Sequence, residues 1–272
     1  MYSKIPMPRT DWTKEAMRYA MCFFRSSVRS SEDFFSLICL TGDSTGSLFR
    51  ASVAVLIPLI VTGGIHLDGL LDTADALSSY KTMEEKLEIL KDSHTGAFAI
   101  IVGCAWFILS LGVWSEVRPE MMPVLAVSFV LSRALSGLAV VVFPKAKNTG
   151  LAATFSGMAV KRTVALTMCG FLLFFGALAI WLDPVYGVPM DLAAGLVFFY
   201  YYRMSKKKFG GITGDLAGFF LTVSELVMAF TVVAVFLIRG EESEIIYRRC
   251  FSGEKEGCYG TDRSFRNRFS GW

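Results

Sequence analysis

Apolar and polar positions along the chain fall into long apolar runs separated by short charged connections. Six runs stand out, at about 48–67, 97–115, 122–143, 164–182, 190–204 and 216–238. A helix needs roughly 20 apolar residues to cross the hydrocarbon core of a bilayer, and most of these runs reach that length. The fifth is short and ends in Phe198-Phe199-Tyr200-Tyr201-Tyr202, the kind of aromatic cluster that sits at headgroup level. The pattern therefore predicts an all-α, polytopic membrane bundle with six transmembrane helices. A seventh is sought between residues 17 and 47, where Arg25, Arg29, Glu32, Asp33 and Asp43 interrupt the apolarity. Each Arg, Lys or Asp costs about 2.5–3.5 kcal/mol at a helix centre, so no good crossing is offered there. Residues 1–20 set Trp12, Met17 and Tyr19 beside Arg9, Lys14 and Arg18, which predicts an interfacial helix and not a signal peptide.

The connections carry their own pattern. Between Thr82 and Asp92, Met83, Leu87 and Leu90 repeat at helical spacing opposite Glu84, Glu85, Glu88 and Lys91, which predicts an amphipathic helix on the membrane surface. Loops 68–96, 144–163 and 203–214 hold Lys81, Lys86, Lys91, Lys145, Lys147, Lys161, Arg162, Arg203 and Lys206 to Lys208. The opposite loops hold Arg118 alone, so the basic side is expected in the cytoplasm of a bacterium whose plasma membrane the chain crosses. Residues 1–238 read as one membrane-embedded domain and 239–272 as a polar tail.

Composition agrees. The chain of 272 residues is 53% hydrophobic with 23 Phe, and only 19% of it is charged, a membrane-like balance. A net charge of +3 without an aromatic-plus-basic stripe gives no case for nucleic acid. The six cysteines show no paired metal spacing and read as packing residues.

Chemistry concentrates in Gly63-Gly64-Ile65-His66-Leu67-Asp68-Gly69-Leu70-Leu71-Asp72-Thr73-Ala74-Asp75. On a helix, Asp68, Asp72 and Asp75 share one face over roughly 10 Å of axis. Like charges so arranged repel unless a cation lies against them, and hard oxygen donors favour Mg2+, with Mn2+ also suitable. A solvated helix face is the plainer alternative. Asp92 and His94 are helix-end polar residues or members of the site. Arg133, alone in the third run, is either a phosphate contact or the structural partner of Glu225, isolated in the sixth. Gly210-Gly211-Ile212-Thr213-Gly214-Asp215 leads into the sixth run and is either an anion-binding turn with Asp215 as a metal ligand, or a glycine turn with an N-cap aspartate.

Five ordered motifs then resemble one family. They are Gly64-x-His66-x-Asp68-Gly69-x-x-Asp72-Thr73-Ala74-Asp75, Lys91-Asp92-Ser93-His94-Thr95-Gly96, Arg133, Phe143-Pro144-Lys145-Ala146-Lys147-x-x-Gly150-Leu151, and Gly211-x-Thr213-Gly214-Asp215. In order and spacing they are similar to the cobalamin synthase family, adenosylcobinamide-GDP ribazoletransferase. The resemblance implies a membrane enzyme joining adenosylcobinamide-GDP to α-ribazole or its 5′-phosphate, releasing GMP, with magnesium. It implies metal binding by Asp68, Asp72, Asp75 and Asp215, catalytic work at Asp72, Asp75 and Asp92, and substrate contacts from Arg133, Lys147, Gly211, Thr213 and His94. The partners implied are those two substrates and the lipid bilayer, with homo-oligomers left open.

Residues 25–47 depart from the family's apolar, glycine-containing span, and Pro144-Lys145-Ala146-Lys147 from its Pro-Tyr-Ala-Arg; the tail beyond Arg239 resembles nothing. Two rivals stay in view. A CDP-alcohol phosphotransferase would place Ala-Arg where Leu71-Asp72 stands, and an ion-coupled transporter would use Asp68, Arg133, Asp215 and Glu225 as intramembrane charges.

Overall fold

A computed structural model of the chain describes residues 46–92, 94–146 and 161–251, with 241–251 given by backbone alone. The expected N-terminal interfacial helix, the crossing sought in residues 17–47, and Lys147 lie outside the described residues. In chain order the helices are α1 (Ser47–Thr62), α2 (Ile65–Ser78), α3 (Met83–Ile89), α4 (Ala97–Glu116), α5 (Met122–Val142), α6 (Lys161–Leu182), α7 (Pro184–Phe209) and α8 (Gly214–Phe251). A short 3-10 turn, Pro119–Met121, leads into α5. Among the described residues there is no strand, only one isolated bridge between Lys145 and Ile212. The chain divides into two compact units, Met1–Val233 and Ala234–Trp272, and the candidate site lies within the first.

Four helical segments are long and apolar enough to cross a membrane: Ala97–Glu116, Pro119–Val142, Lys161–Leu182 and Gly214–Gly240. A fifth is reached if α1 and α2 count as one bent span. The expected first span, 48–67, is therefore not a straight helix. Gly63 and Gly64 both adopt left-handed φ, 66° and 82°, and their N–H groups donate back to Ile60 O and Leu59 O, which closes α1. α2 restarts at Ile65, turned by 92°. Glycine is needed twice in succession because a side chain is strained at positive φ. The expected fifth span, 190–204, falls inside α7, which is not among these four.

α5 is the most enclosed of the four, and α6 packs along it through Ala134, Val141, Val164 and Met168. α4 and α6 turn Phe98, Ile100, Ile108, Leu166, Leu173 and Trp181 outward. Helices this apolar on their outer faces suit a lipid environment. Small residues set the close approaches. A Cβ at Gly187 of α7 would lie 2.5 Å from the Ala179 carbonyl of α6, so only glycine allows that spacing.

α3 begins with a capping box: Thr82 Oγ1 accepts from the Glu85 N–H, and the Glu85 carboxylate accepts from the Thr82 N–H. It packs on α2 and α7; the residue it buries is Lys86, Leu90 is buried just beyond its end, and the exposed Met83 reaches toward Gly210.

Candidate active site

α2 carries the three carboxylates. As the spacing predicts, Asp68, Asp72 and Asp75 belong to one helix, Asp68 exposed and the other two half-buried. α2 crosses the start of α8 at two glycines. A Cβ at Gly69 would meet the Asp215 carbonyl oxygen at 2.5 Å, and one at Gly218 would meet the His66 backbone at 3.2–3.3 Å. Thr222 Oγ1, one turn further along α8, donates to His66 O at 3.0 Å. This crossing brings Asp215, distant in sequence, beside the stripe. The charges of Asp68, Asp215 and Asp75 all bear on Asp72.

Asp75 has a separate set of partners. The Gly96 N–H donates to its Oδ2 at 2.6 Å and the Ala99 N–H to its Oδ1 at 2.9 Å, at the start of α4. Asp92 and His94 lie in the same connection. His94 Nδ1 stands 2.7 Å from Asp92 Oδ1, and the His94 N–H donates to that oxygen at 3.0 Å. Those two bonds, the ring's first, hold the Asp92 carboxyl below its usual range. Both side chains are exposed.

The turn before α8 is fixed from two directions. Gly210, at φ 74°, ends α7, and Gly211 lies against the backbone of Pro144 to Ala146, where a Cβ would come within 2.4–2.5 Å. Ile212 pairs with that strand-like stretch: its N–H donates to Pro144 O at 2.9 Å and the Ala146 N–H donates to Ile212 O at 3.2 Å. Thr213 caps α8, its Oγ1 accepting from the Leu216 N–H at 3.2 Å. Of the two alternatives, the N-cap aspartate is not what forms: the threonine side chain accepts from the Leu216 amide, and Asp215 stands in the first turn.

Arg133 takes the structural alternative. Its guanidinium pairs with Glu225, whose Oε1 also accepts from Ser132 Oγ at 2.9 Å. Beside the pair lies a cavity of about 80 Å³ lined by His66, Trp106, Ser110, Trp114 and Thr222, among others. Sequence reasoning did not find the Gly69–Gly218 crossing or this cavity, because both depend on which helices meet.

Among the described residues, no three His, Cys, Asp or Glu side chains stand close enough together to hold one ion. The chemistry of the donor set still fits magnesium. Mg2+ is commonly held by one or two carboxylates, with waters and substrate phosphates completing its octahedron, and not by a full protein cage. Asp68, Asp72 and Asp215 offer hard oxygens, and the charges of Asp68 and Asp215 both bear on Asp72.

A family model described as cobalamin-5-phosphate synthase matches residues 1–233, a range that takes in residues 25–47 and leaves out the tail. A Lachnoclostridium phytofermentans protein named adenosylcobinamide-GDP ribazoletransferase is 43% identical over 235 residues, covering 86% of this chain and 90% of its own length. Proteins of the same name from Clostridium botulinum and Clostridium perfringens are 29% and 28% identical, covering 85% and 83% of this chain and 93% and 91% of theirs. No solved structure matches.

Proposed function

The chain belongs to the cobalamin-5-phosphate synthase family, and on that premise we propose that it is an adenosylcobinamide-GDP ribazoletransferase, a membrane enzyme that joins adenosylcobinamide-GDP to α-ribazole or its 5′-phosphate and releases GMP. The observation that carries the reading is the convergence of Asp68, Asp72 and Asp215 from two helices onto one negative region.

In this reaction a ribazole hydroxyl oxygen forms a bond to the phosphorus attached to cobinamide, and the bond from that phosphorus to the GMP oxygen breaks. One or two of Asp68, Asp72 and Asp215 would hold an Mg2+, or Mn2+ in its place, with water and substrate phosphate completing its shell. The ion would neutralise diphosphate charge and help align the leaving GMP. Asp92 Oδ1 faces His94 Nδ1, and a ring with its proton on Nδ1 would leave Nε2 as the acceptor for the hydroxyl proton. Gly211 and Thr213 hold the turn that carries Asp215. Lys147 is assigned to a phosphate. Arg133, occupied by Glu225, is assigned to joining α5 and α8 in preference to touching substrate.

The protein is placed in the bacterial plasma membrane, with residues 1–238 as the membrane-embedded domain and 239–272 as a polar tail. α1–α2, α4, α5, α6, α7 and α8 would supply six crossings, and the basic loops put the carboxylates on the cytoplasmic side. The test is GMP release from adenosylcobinamide-GDP by membranes holding the protein, with and without α-ribazole and Mg2+. Release requiring both, and lost in Asp72→Asn, is expected; no release from well-inserted wild-type chain would overturn the assignment.

A further inference from the structure

Asp68, Asp72 and Asp75 share a helix face, so spacing alone gives all three the same role. Their partners do not. Both oxygens of Asp75 accept backbone N–H groups at the start of α4, Gly96 at 2.6 Å and Ala99 at 2.9 Å. Gly96 itself has no side chain to cap that helix. The first amides of a helix need acceptors, and their partial positive charge favours a carboxylate. Asp75 supplies both from another helix. The fit is close: a Cβ at position 96 would come 2.7 Å from either Asp75 oxygen, so glycine is required there for contact and not for backbone conformation.

We infer that Asp75 is a positioning residue, a latch that fixes the connection between α3 and α4 against α2, and that it is not a metal ligand. Bonds to a helix start draw on the same lone pairs that an ion would use, and the positive end of that helix lowers the attraction for a cation. Asp68 and Asp72 have no such bond to α4. The latch lies two residues from His94, so it sets where the Asp92–His94 pair stands relative to the stripe. The inference rests on the transferase reading for its catalytic consequence, but not for its structural content.

The experiment has two arms on the full chain in detergent or nanodiscs. Without metal, amide hydrogen exchange is followed for the peptide spanning residues 95–100, using peptides of α5 as the internal reference for folding. Asp75→Asn presents an NH2 to an N–H donor, and the Gly96 and Ala99 amides should exchange about tenfold faster or more, with Asp72→Asn leaving them unchanged. With substrates, Asp75→Asn and Gly96→Ala should each lower kcat while keeping the Mg2+ concentration for half-maximal GMP release within about twofold of wild type. The double variant should be no worse than the poorer single one. Asp75→Glu, which keeps the charge, should recover part of both readouts and serves if the asparagine variant does not insert.

Unchanged exchange in Asp75→Asn together with a tenfold rise in the Mg2+ requirement would make Asp75 a ligand and overturn the latch. Should the wild type release no GMP, the transferase reading fails while the exchange arm still decides the latch.

Discussion

Arg133 and Asp72 both bring charge into an apolar bundle, and their surroundings treat them in opposite ways. Arg133 finds Glu225, and Ser132 completes the pair, so the charge is answered inside the protein. Asp72 finds Asp68, Asp75 and Asp215, all of its own sign. Burying a charge is expensive unless it is paired. An answered charge in such a place holds helices together. Like charges gathered around Asp72 would be stabilised by a ligand that supplies the other sign, which is the reason the proposed metal site is put on α2.

The comparison breaks most sharply at Asp72. Replacing it with Asn should lower GMP release by roughly a thousandfold, on the order of the several kcal/mol a metal contributes to charge stabilisation in the transition state. The same change relieves repulsion, so the thermal midpoint of the purified protein should hold or rise. A fall in stability matching the fall in activity would assign Asp72 a packing role instead.

Arg133 should behave in the reverse manner. Arg133→Met strands Glu225 and should cost about 3 kcal/mol of stability, while Arg133→Met combined with Glu225→Leu should recover most of it. Thermal unfolding of the single and double variants checks this; an inactive but fully stable double variant would return Arg133 to the substrate. The next effect is at the crossing. Gly69→Ala pushes a methyl into the Asp215 carbonyl and should cost about 1–3 kcal/mol and weaken magnesium dependence, read by activity against Mg2+ concentration. Smallest is Thr82→Ala, which opens the α3 capping box, costs at most about 1 kcal/mol and should leave kcat unchanged.

The carboxylate stripe was legible in the sequence because it is local: positions four and three apart on a helix face one way wherever the helix goes. The pairing of Arg133 with Glu225 was legible as one of two choices, since lone charges in apolar runs seek each other. The bend at Gly63-Gly64 was not, because apolar residues continue on both sides and hydropathy is blind to φ. Nor was the division of labour within the stripe. Asp75 differs from Asp68 in meeting the start of α4, a contact that joins residues 21 and 24 positions apart. Asp215 looked like a cap because glycines precede it, yet Thr213 already serves the free amides.

The 92° turn between α1 and α2 also sets a level. A helix standing upright in a bilayer would stagger three carboxylates at this spacing across ~10 Å of depth, from wet headgroups into oil. If α1 stands upright, α2 would lie flat and its three carboxylates would share one depth, like a shelf. On the proposed reading, a corrinoid would then stay in water with its diphosphate lowered onto that shelf.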